Sequence, residues 1–311
     1  MRIKRSEILR LLGIGRTQQF EFKRPKNPAK KTLRLNSITP LEKTVAIRFA
    51  EEHRGIWHVK LSYMMLDAGV GYIKPTMLYM ILKASGFFNR SIKSTAQKEY
   101  LYKPVGIHDM WHTDITYVKI FGVFYFLIVV LDGYSRYLLR WKLLYDMRGT
   151  TVADFIQGAL DKYPAAKGKV RIVQDNGSCY VSNEYRNMLS RNGAVEIHIA
   201  PYHPETNGKA EAMVKIVQYE AIKPNAPQLY PEAVTVMEDF DKHYNNERLH
   251  SGIGFMTPAD VFFGRTQEVQ RHREEQKSKF TEARKIWNFD QNMRLLNSAN
   301  YTNFAIENSP V

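Results

Sequence analysis

Three consecutive runs of β-branched and aromatic residues, joined by very short connections, constrain the fold of this chain most. The runs are TDITYVKI (113–120), VFYFLIVVLD (123–132) and RYLLRWKLLY (136–145). Phe121-Gly122 joins the first two and Gly133-Tyr134-Ser135 the last two. Runs of this composition with hairpin-length connections predict three antiparallel strands. Asp132 interrupts the longest apolar stretch, which therefore predicts a buried strand and not a membrane span.

The chain beyond these runs alternates between helix and strand patterns. TTVADFIQGALDKY predicts a helix, VRIVQD a strand, SNEYRNMLSRNG a helix and VEIHIA a strand; a loop and a final helix from Lys209 follow. The order βββαβαβα predicts an α/β fold with a mixed five-stranded sheet and helices on its faces. We assign residues 101–225 to this sheet domain and residues 226–311 to a C-terminal helical extension and tail.

Two small all-α units are predicted before the sheet. Residues 1–35 contain a helix, a turn at Gly13 and Gly15, a second helix and a basic linker. The second helix, Arg16 to Lys23, lies where a helix-turn-helix places its base-reading residues. Residues 36–100 contain three short helices with Gly-rich turns, which is typical of a second helix-turn-helix DNA-binding domain. A purely structural helical subdomain is the alternative for this second unit.

The charge distribution favours a polyanionic partner. The 311-residue chain has a formal net charge of +14, and residues 1–40 carry eleven basic residues against two acidic ones. Lys and Arg side chains on phosphates release condensed counterions, so this balance predicts a polyanion such as a nucleic acid as the partner. Arg16, Lys23 and Arg24 are candidate DNA contacts. A merely soluble basic protein is the alternative. No secretory signal or membrane span is evident, which predicts a cytoplasmic location.

Three acids stand at positions where their side chains could meet. Asp114 lies near the start of the first strand, Asp175 at the carboxyl end of a later strand, and Glu211 near the start of the final helix. Ligands gather at such strand ends in α/β sheets. Carboxylates are ligands that Mg²⁺ accepts, and two such ions activate the attacking oxygen and stabilise the leaving oxygen in phosphodiester chemistry.

Each acid also has a structural interpretation. Asp175-Asn176-Gly177 is a favourable turn sequence, and a Glu in a first helical turn favours the helix dipole. In the final helix Ala210, Val214, Val217 and Ala221 predict the apolar stripe that packs on the sheet. Glu211 and Lys215 lie one turn apart on a neighbouring polar stripe, where a simple ion pair is the alternative to a metal ligand beside a phosphate contact. Asp132 is expected to be structural.

Four segments together resemble the catalytic core shared by retroviral integrases and bacterial insertion-sequence transposases. The segments are WHTDITYV, LDGYSRYLLRW, QDNGSCYVS and APYHPETNGKAEAMVK, and thirty-five residues separate Asp175 from Glu211. The resemblance extends from about residue 5 to residue 264. Over this range the chain is similar to second-reading-frame transposases of a large insertion-sequence group. It implies a ribonuclease-H-like fold. No His-His-Cys-Cys zinc domain is present, so DNA-end binding is expected from the helical units.

The resemblance implies a DNA transposase or integrase that nicks the 3′ end of a mobile element and transfers the 3′-OH into target DNA. It assigns Asp114, Asp175 and Glu211 as catalytic, metal-binding residues for two Mg²⁺ ions, with Mn²⁺ as a substitute. Lys215, Lys209 and His203 become candidate contacts to element ends or target DNA. We expect a homodimer or larger oligomer on double-stranded DNA. The expected location is the bacterial cytoplasm, in association with the nucleoid.

Two other functions remain open at this point. One is a ribonuclease-H or resolvase-like nuclease without strand transfer, which would use the same acids. The other is a non-catalytic helix-turn-helix regulator. The intact acids and Lys215 argue against the regulator, and the two helical units argue against a nuclease that reads no DNA sequence.

Overall fold

The computed structural model of the chain describes residues 32–87, 103–198 and 207–307, with side chains described as far as residue 296. Arg16, Lys23, Arg24 and His203 lie outside the described residues, as does nearly all of the predicted 1–35 unit. The described residues divide into two compact units: those between 42 and 278 form one, and residues 32–41 with 279–307 form the other. The domain boundaries at 35, 100 and 225 stay predictions.

The three helices predicted for residues 36–100 are confirmed, whereas the two predicted within residues 1–35 lie outside the described residues. The confirmed helices are α1 (Pro40–Glu52), α2 (His58–Asp67) and α3 (Pro75–Ala84). Proline occupies the first turn of α3, where its fixed φ suits a helix start and its missing N–H costs nothing. Leu61 and Leu66 of α2 and Leu78 of α3 are buried, so the two helices share a small apolar core.

The sheet has five strands in the order β3-β2-β1-β4-β5. The strands are β1 (Met110–Ile120), β2 (Val123–Asp132), β3 (Leu138–Leu144), β4 (Arg171–Gln174) and β5 (Val195–His198). β1, β2 and β3 pair antiparallel, whereas β4 runs parallel to β1 and to β5. The predicted α/β class and the ribonuclease-H-like mixed sheet are confirmed.

Each face of the sheet is covered by helices over a separate hydrophobic core. The helices are α4 (Gly149–Lys162), α5 (Asn183–Arg191), α6 (Gly208–Val217) and α7 (Tyr230–Asn246). Side chains of α4 and α5 form one core around Trp111 of β1. Side chains of α6 and α7 form the other around Val129 of β2. Ser182 starts α5 by accepting a hydrogen bond from the Tyr185 amide, 3.2 Å away.

Two further α-helices follow α7 in the described chain: α8 (Pro258–Phe262) and α9 (Thr266–Glu307). A π-helical turn, Gln218–Ile222, directly follows α6. In the unit formed by the two ends of the chain, the side chain of Asn292 hydrogen-bonds to both main-chain groups of Leu33, and Asn288 donates to the carbonyls of Leu35 and Ser37. Within the described part of the chain, every helix is too short or too polar to cross a membrane.

One arginine connects the small helical bundle to the rest of the 42–278 unit. Arg273 of α9 is buried and donates to both carboxylate oxygens of Asp67, at 2.7 and 2.6 Å. It also donates to the carbonyl of Phe255 at 2.7 Å. Its guanidinium lies 4.9 Å from the ring centroid of Tyr63, which stacks on Phe255. The end of α2 is therefore fixed to the segment that precedes α8.

Candidate active site

Asp114 projects from β1 at the point where the strand loses its parallel partner. β4 pairs with β1 only from Met110 to His112, so β1 continues beyond the end of β4. Alternation along the strand places Asp114 on the same face as Val118, whose side chain belongs to the core under α6 and α7. One oxygen of Asp114 accepts a hydrogen bond from the Ile115 amide, 2.9 Å away. The carboxylate is half-buried and directed toward α6.

Asp175 follows the last residue of β4 and starts a tight turn. Its Oδ1 accepts a hydrogen bond from the Gly177 amide, 2.9 Å away, which is the Asx turn that the sequence Asp-Asn-Gly favours. The side chain is exposed. Because β4 is parallel to β1, the carboxyl end of β4 lies beside the part of β1 that carries Asp114.

Glu211 lies in the first turn of α6, and a buried asparagine holds the start of that helix against β1. Asn207 is buried, and its side-chain amide donates to the main-chain carbonyl of Thr113, 3.2 Å away. The Thr113 hydroxyl lies 3.2 Å from the phenol oxygen of the buried Tyr180. These contacts position the helix that carries Glu211 next to the residue that precedes Asp114.

The three acids interact electrostatically. Burial, followed by the charges of Asp175 and Glu211, raises the pKa of Asp114 from 3.8 to about 6, although the hydrogen bond from Ile115 acts in the opposite direction. A carboxylate whose neighbours are also carboxylates resists ionisation, and a divalent cation among them removes that penalty. Three oxygen donors from three separate elements suit Mg²⁺.

The described residues do not bring three or more His, Cys, Asp or Glu side chains close enough together to form a ready-made metal cage. Mg²⁺ keeps several waters and needs few protein ligands, so a loose arrangement of carboxylates is compatible with its binding. The assignment of the three acids as ligands stays a prediction. The electrostatic coupling at Asp114 is the observation that supports it.

Lys209 lies in the interior. Only 7% of it is exposed, and its Nζ lies 3.3 Å from Nε2 of the buried His112. Burial, followed by the charge of Arg136, lowers the pKa of Lys209 to about 8. Burial, with the Lys209 and Arg136 charges, lowers the pKa of His112 well below 6.5, so its imidazole is neutral. Because the ammonium of Lys209 faces the interior, the structure does not support the predicted DNA contact of this residue. Lys215, one turn after Glu211, is exposed.

The apolar stripe of the final helix differs by one residue from its prediction. Its buried apolar positions are Ala210, Met213, Val217 and Ala221. Val214 is only partly buried and packs against the same core. Asp132 has the expected structural role, since its two oxygens accept hydrogen bonds from Ser135 and from the amide of His108.

Sequence reasoning missed three residues that support the site: Thr113, Tyr180 and Asn207. Asn207 was recognisable only as a loop residue before a helix, and the other two only as parts of a strand and a turn. Their common property is burial of a polar group beside Asp114, which depends on contacts between residues 67 and 94 positions apart. A local pattern carries no signal for such contacts.

The acids lie within segments that match known protein families. Residues 106–204, which contain Asp114 and Asp175, match the family described as integrase core domain. Residues 193–258, which contain Glu211, match a second family of the same description. The two matches together span residues 106–258, so this part of the chain is similar to integrase core domains.

Curated relatives of this integrase core are transposases. The chain is 26% identical over 161 residues to the transposase for insertion sequence element IS904 of Lactococcus lactis subsp. lactis (strain IL1403), covering 51% of this chain and 63% of that relative. It is 32% identical over 136 residues to transposase InsD for insertion element IS2D of Escherichia coli (strain K12), covering 42% of this chain and 44% of the relative. The chain thus spans less than two thirds of either relative.

Solved structures that resemble the integrase core include the catalytic core domain of HTLV-2 integrase in complex with magnesium. That likeness has 17% sequence identity and a TM-score of 0.39, over 51% of this chain and 98% of the other. A simian T-cell lymphotropic virus intasome in complex with PP2A regulatory subunit B56 gamma is similar with 17% identity and a TM-score of 0.45, over 70% of this chain and 74% of that one.

Proposed function

We propose that this chain is a DNA transposase or integrase. It would nick the 3′ end of a mobile element and transfer the resulting 3′-OH into target DNA. The observation that carries the proposal is the position of Asp114 on β1, beside the end of β4, which Asp175 follows, and beside the start of α6, which carries Glu211. Three acids arranged on unconnected elements serve no evident purpose in the packing of either hydrophobic core.

Asp114, Asp175 and Glu211 would hold two Mg²⁺ ions, which Mn²⁺ can replace. Bound divalent ions supply the activation of the attacking oxygen and the neutralisation of charge on the leaving oxygen. The chain's own residues set the geometry: Asn207 holds the start of α6 against β1, and the turn at Asp175 directs that carboxylate to the edge of the sheet. The raised pKa of Asp114 keeps part of its population protonated near pH 6 until a cation binds.

Lys215 would contact a DNA phosphate beside the acids. It is exposed and one helical turn beyond Glu211, so its ammonium lies on the same edge of α6. The helices α2 and α3 with their turn would bind double-stranded DNA at the element ends, in agreement with the excess of basic residues. Joining two ends requires two active sites, so a homodimer or larger assembly on DNA would form.

The test is nicking of a supercoiled plasmid that carries the DNA flanking the coding sequence. We expect Mg²⁺-dependent nicking by the natural protein and its loss, by a factor of at least about 10³, in Glu211→Gln, because the variant removes a carboxylate that acts only with its partners. DNA binding by the variant should stay unchanged. Glu184→Gln is the matched control, since Glu184, like Glu211, is an acid in the first turn of a helix of the same domain.

A duplex with a pre-cut 3′ end separates the two enzymatic functions. A transposase joins that end to a target plasmid, whereas a nuclease without strand transfer nicks the plasmid and joins nothing. A DNA-binding regulator does neither. Equal nicking by the natural protein and Glu211→Gln would remove Glu211 from the active site.

A further inference from the structure

The hairpin between β1 and β2 exposes three aromatic side chains. Tyr117 is 56% exposed, Phe121 at the turn is 81% exposed, and Phe124 is 56% exposed. The rings of Tyr117 and Phe124 meet edge to face, with centroids 6.3 Å apart. Exposed aromatic residues that cluster on one surface mark an interaction site more often than single ones do.

These rings form one wall of an open groove of about 540 Å³. The opposite wall is the π-helical turn after α6 and the segment up to Gln228. The side chain of Gln218 donates to the carbonyl of Tyr117, 3.1 Å away, and so connects the two walls. Tyr219, the next residue of the turn, is 66% exposed. Single π-helical turns within helices occur frequently at functional sites.

The groove is basic. Lys119 lies over the ring of Phe124, with Nζ 5.4 Å from the centroid. Lys223 lies over the ring of Tyr219, with Nζ 4.0 Å from the centroid. Among the described residues, those that line the groove include both lysines and no Asp or Glu. The surface therefore combines flat apolar rings with positive charge, which complements a polyanion.

We propose that this groove binds unpaired nucleotides of a DNA strand that leaves the active site. The bases would stack on Tyr117, Phe121 and Phe124, and Lys119 and Lys223 would contact the phosphates. Aromatic rings interleaved with cations are the usual platform for single-stranded DNA. Lysine is depleted at the centre of protein–protein interfaces, so two lysines over rings favour DNA over a second copy of the chain.

The position of the groove supports this occupant. Tyr117 lies three residues beyond Asp114 on β1, a distance along the strand of about 10 Å at roughly 3.3 Å per residue, and this odd spacing directs the two side chains to opposite faces of the sheet. The groove reaches both faces, because Gln218 and Lys223, which follow α6 on the face of Asp114, line it together with Tyr117. A DNA duplex rises by about 3.4 Å for each base pair, so a strand held at Asp114 reaches the groove within a few nucleotides. The inference rests on the proposed function, because that function brings a DNA end to Asp114.

Binding to a blunt duplex and to a forked duplex with poly-dT arms tests the proposal. Phe121→Asn removes the most exposed ring, and asparagine tolerates the positive φ of 43° at this turn. We expect it to bind the forked duplex about tenfold more weakly and the blunt duplex normally. Lys223→Gln should lower the salt dependence for the forked duplex by about 0.7 in the logarithmic slope. Tyr145→Ala and Lys142→Gln, exposed side chains outside the groove, should match the natural protein.

A 2-aminopurine base in one arm reports stacking directly. Its fluorescence should be quenched by the natural protein and by Glu211→Gln, and less by Phe121→Asn. If the natural protein and every variant bind the two duplexes equally and still nick plasmid DNA, the groove does not bind unpaired nucleotides. The proposed function would then remain intact. A natural protein that quenches the base but neither nicks nor joins DNA would overturn the function alone. If Phe121→Asn or Lys223→Gln changes the oligomeric state but not the binding of the forked duplex, the groove is a contact between copies of the chain. That result would overturn the proposal of nucleotide binding.

Discussion

The side-chain amide of Asn207 donates a hydrogen bond to the main-chain carbonyl of Thr113 across 94 positions of sequence, at 3.2 Å. This bond joins the start of α6 to the residue before Asp114, so it sets the distance between the two elements that carry Asp114 and Glu211. Asn207 is 2% exposed, and a buried polar contact of this kind has no water to replace it.

Asn207→Ala should lower the free energy of unfolding by about 1–3 kcal/mol, because the Thr113 carbonyl loses a buried donor. Plasmid nicking should fall further than this loss of stability explains, while DNA binding stays within about twofold. Thermal denaturation and nicking at a temperature where both proteins are folded measure the two effects. Asn246→Ala is the control: its exposed amide donates to the Lys242 carbonyl, and its loss should cost less than about 0.5 kcal/mol.

Asp114→Asn should stabilise the protein at pH 8 and leave its stability unchanged at pH 4. The folded state holds the Asp114 proton up to about pH 6, whereas the unfolded state releases it near pH 3.8, so the natural protein loses stability as pH rises through that window. Asparagine carries no charge and avoids this loss, which we place at about 1–2 kcal/mol for a half-buried carboxyl. Chemical denaturation at both pH values measures it.

The same variant should lose the stabilisation that Mg²⁺ gives to the natural protein. A cation that binds only the folded state raises its midpoint of thermal unfolding, and it competes with the proton on Asp114. The effect of Mg²⁺ on the natural protein should therefore weaken below about pH 6. A Mg²⁺ effect that is equal in both proteins would exclude Asp114 as a ligand.

Lys215→Gln and Lys209→Gln should have different effects. The exposed Lys215 contacts phosphate in the proposed function, so its loss should reduce the salt dependence of duplex binding by about 0.9 in the logarithmic slope. The buried Lys209 should change stability and leave that slope as it is. Anisotropy titrations at several salt concentrations measure the slopes. A reduced slope in Lys209→Gln would show that Lys209 contacts a DNA phosphate after all.

Arg273→Ala should destabilise the 42–278 unit by about 3 kcal/mol, because Asp67 and two main-chain carbonyls lose their donor together. Arg273→Lys should restore little of this stability, since an ammonium cannot make the paired contacts of a guanidinium. Urea denaturation measures both variants. The exposed pair between Arg48 and Glu52 provides the control, and Arg48→Ala should cost less than about 1 kcal/mol.

Local patterns were sufficient for most of the fold. The predicted run 123–132 has the bounds of β2, since a turn with glycine precedes it and an acid ends it. β1, by contrast, begins at Met110 and not at residue 113. Trp111 and His112 extend the strand because they pair with β4, about 60 positions later, and no local pattern encodes that partner.

The candidate site was predictable as a set of residues but not as a structure. Spacing and resemblance selected Asp114, Asp175 and Glu211. Helical spacing placed Lys215 on the polar stripe, where it is exposed, but it did not reveal that Lys209 is buried, because burial depends on which face the helix presents to the sheet. The hydrogen bond from Asn207 to the Thr113 carbonyl could not be predicted from the sequence either, since it requires a strand and a helix to lie close together in the fold.

The link between Asp67 and Arg273 spans 206 positions of sequence. Ribosomes therefore synthesise the helix bundle, the entire sheet and every candidate catalytic acid before the guanidinium that anchors α2 emerges. A polypeptide that stops before residue 273 has all three acids and a bundle without its tether. Translation of α9 thus supplies the contact that fixes α2, and chains terminated before residue 273 should be preferred substrates of cellular proteases.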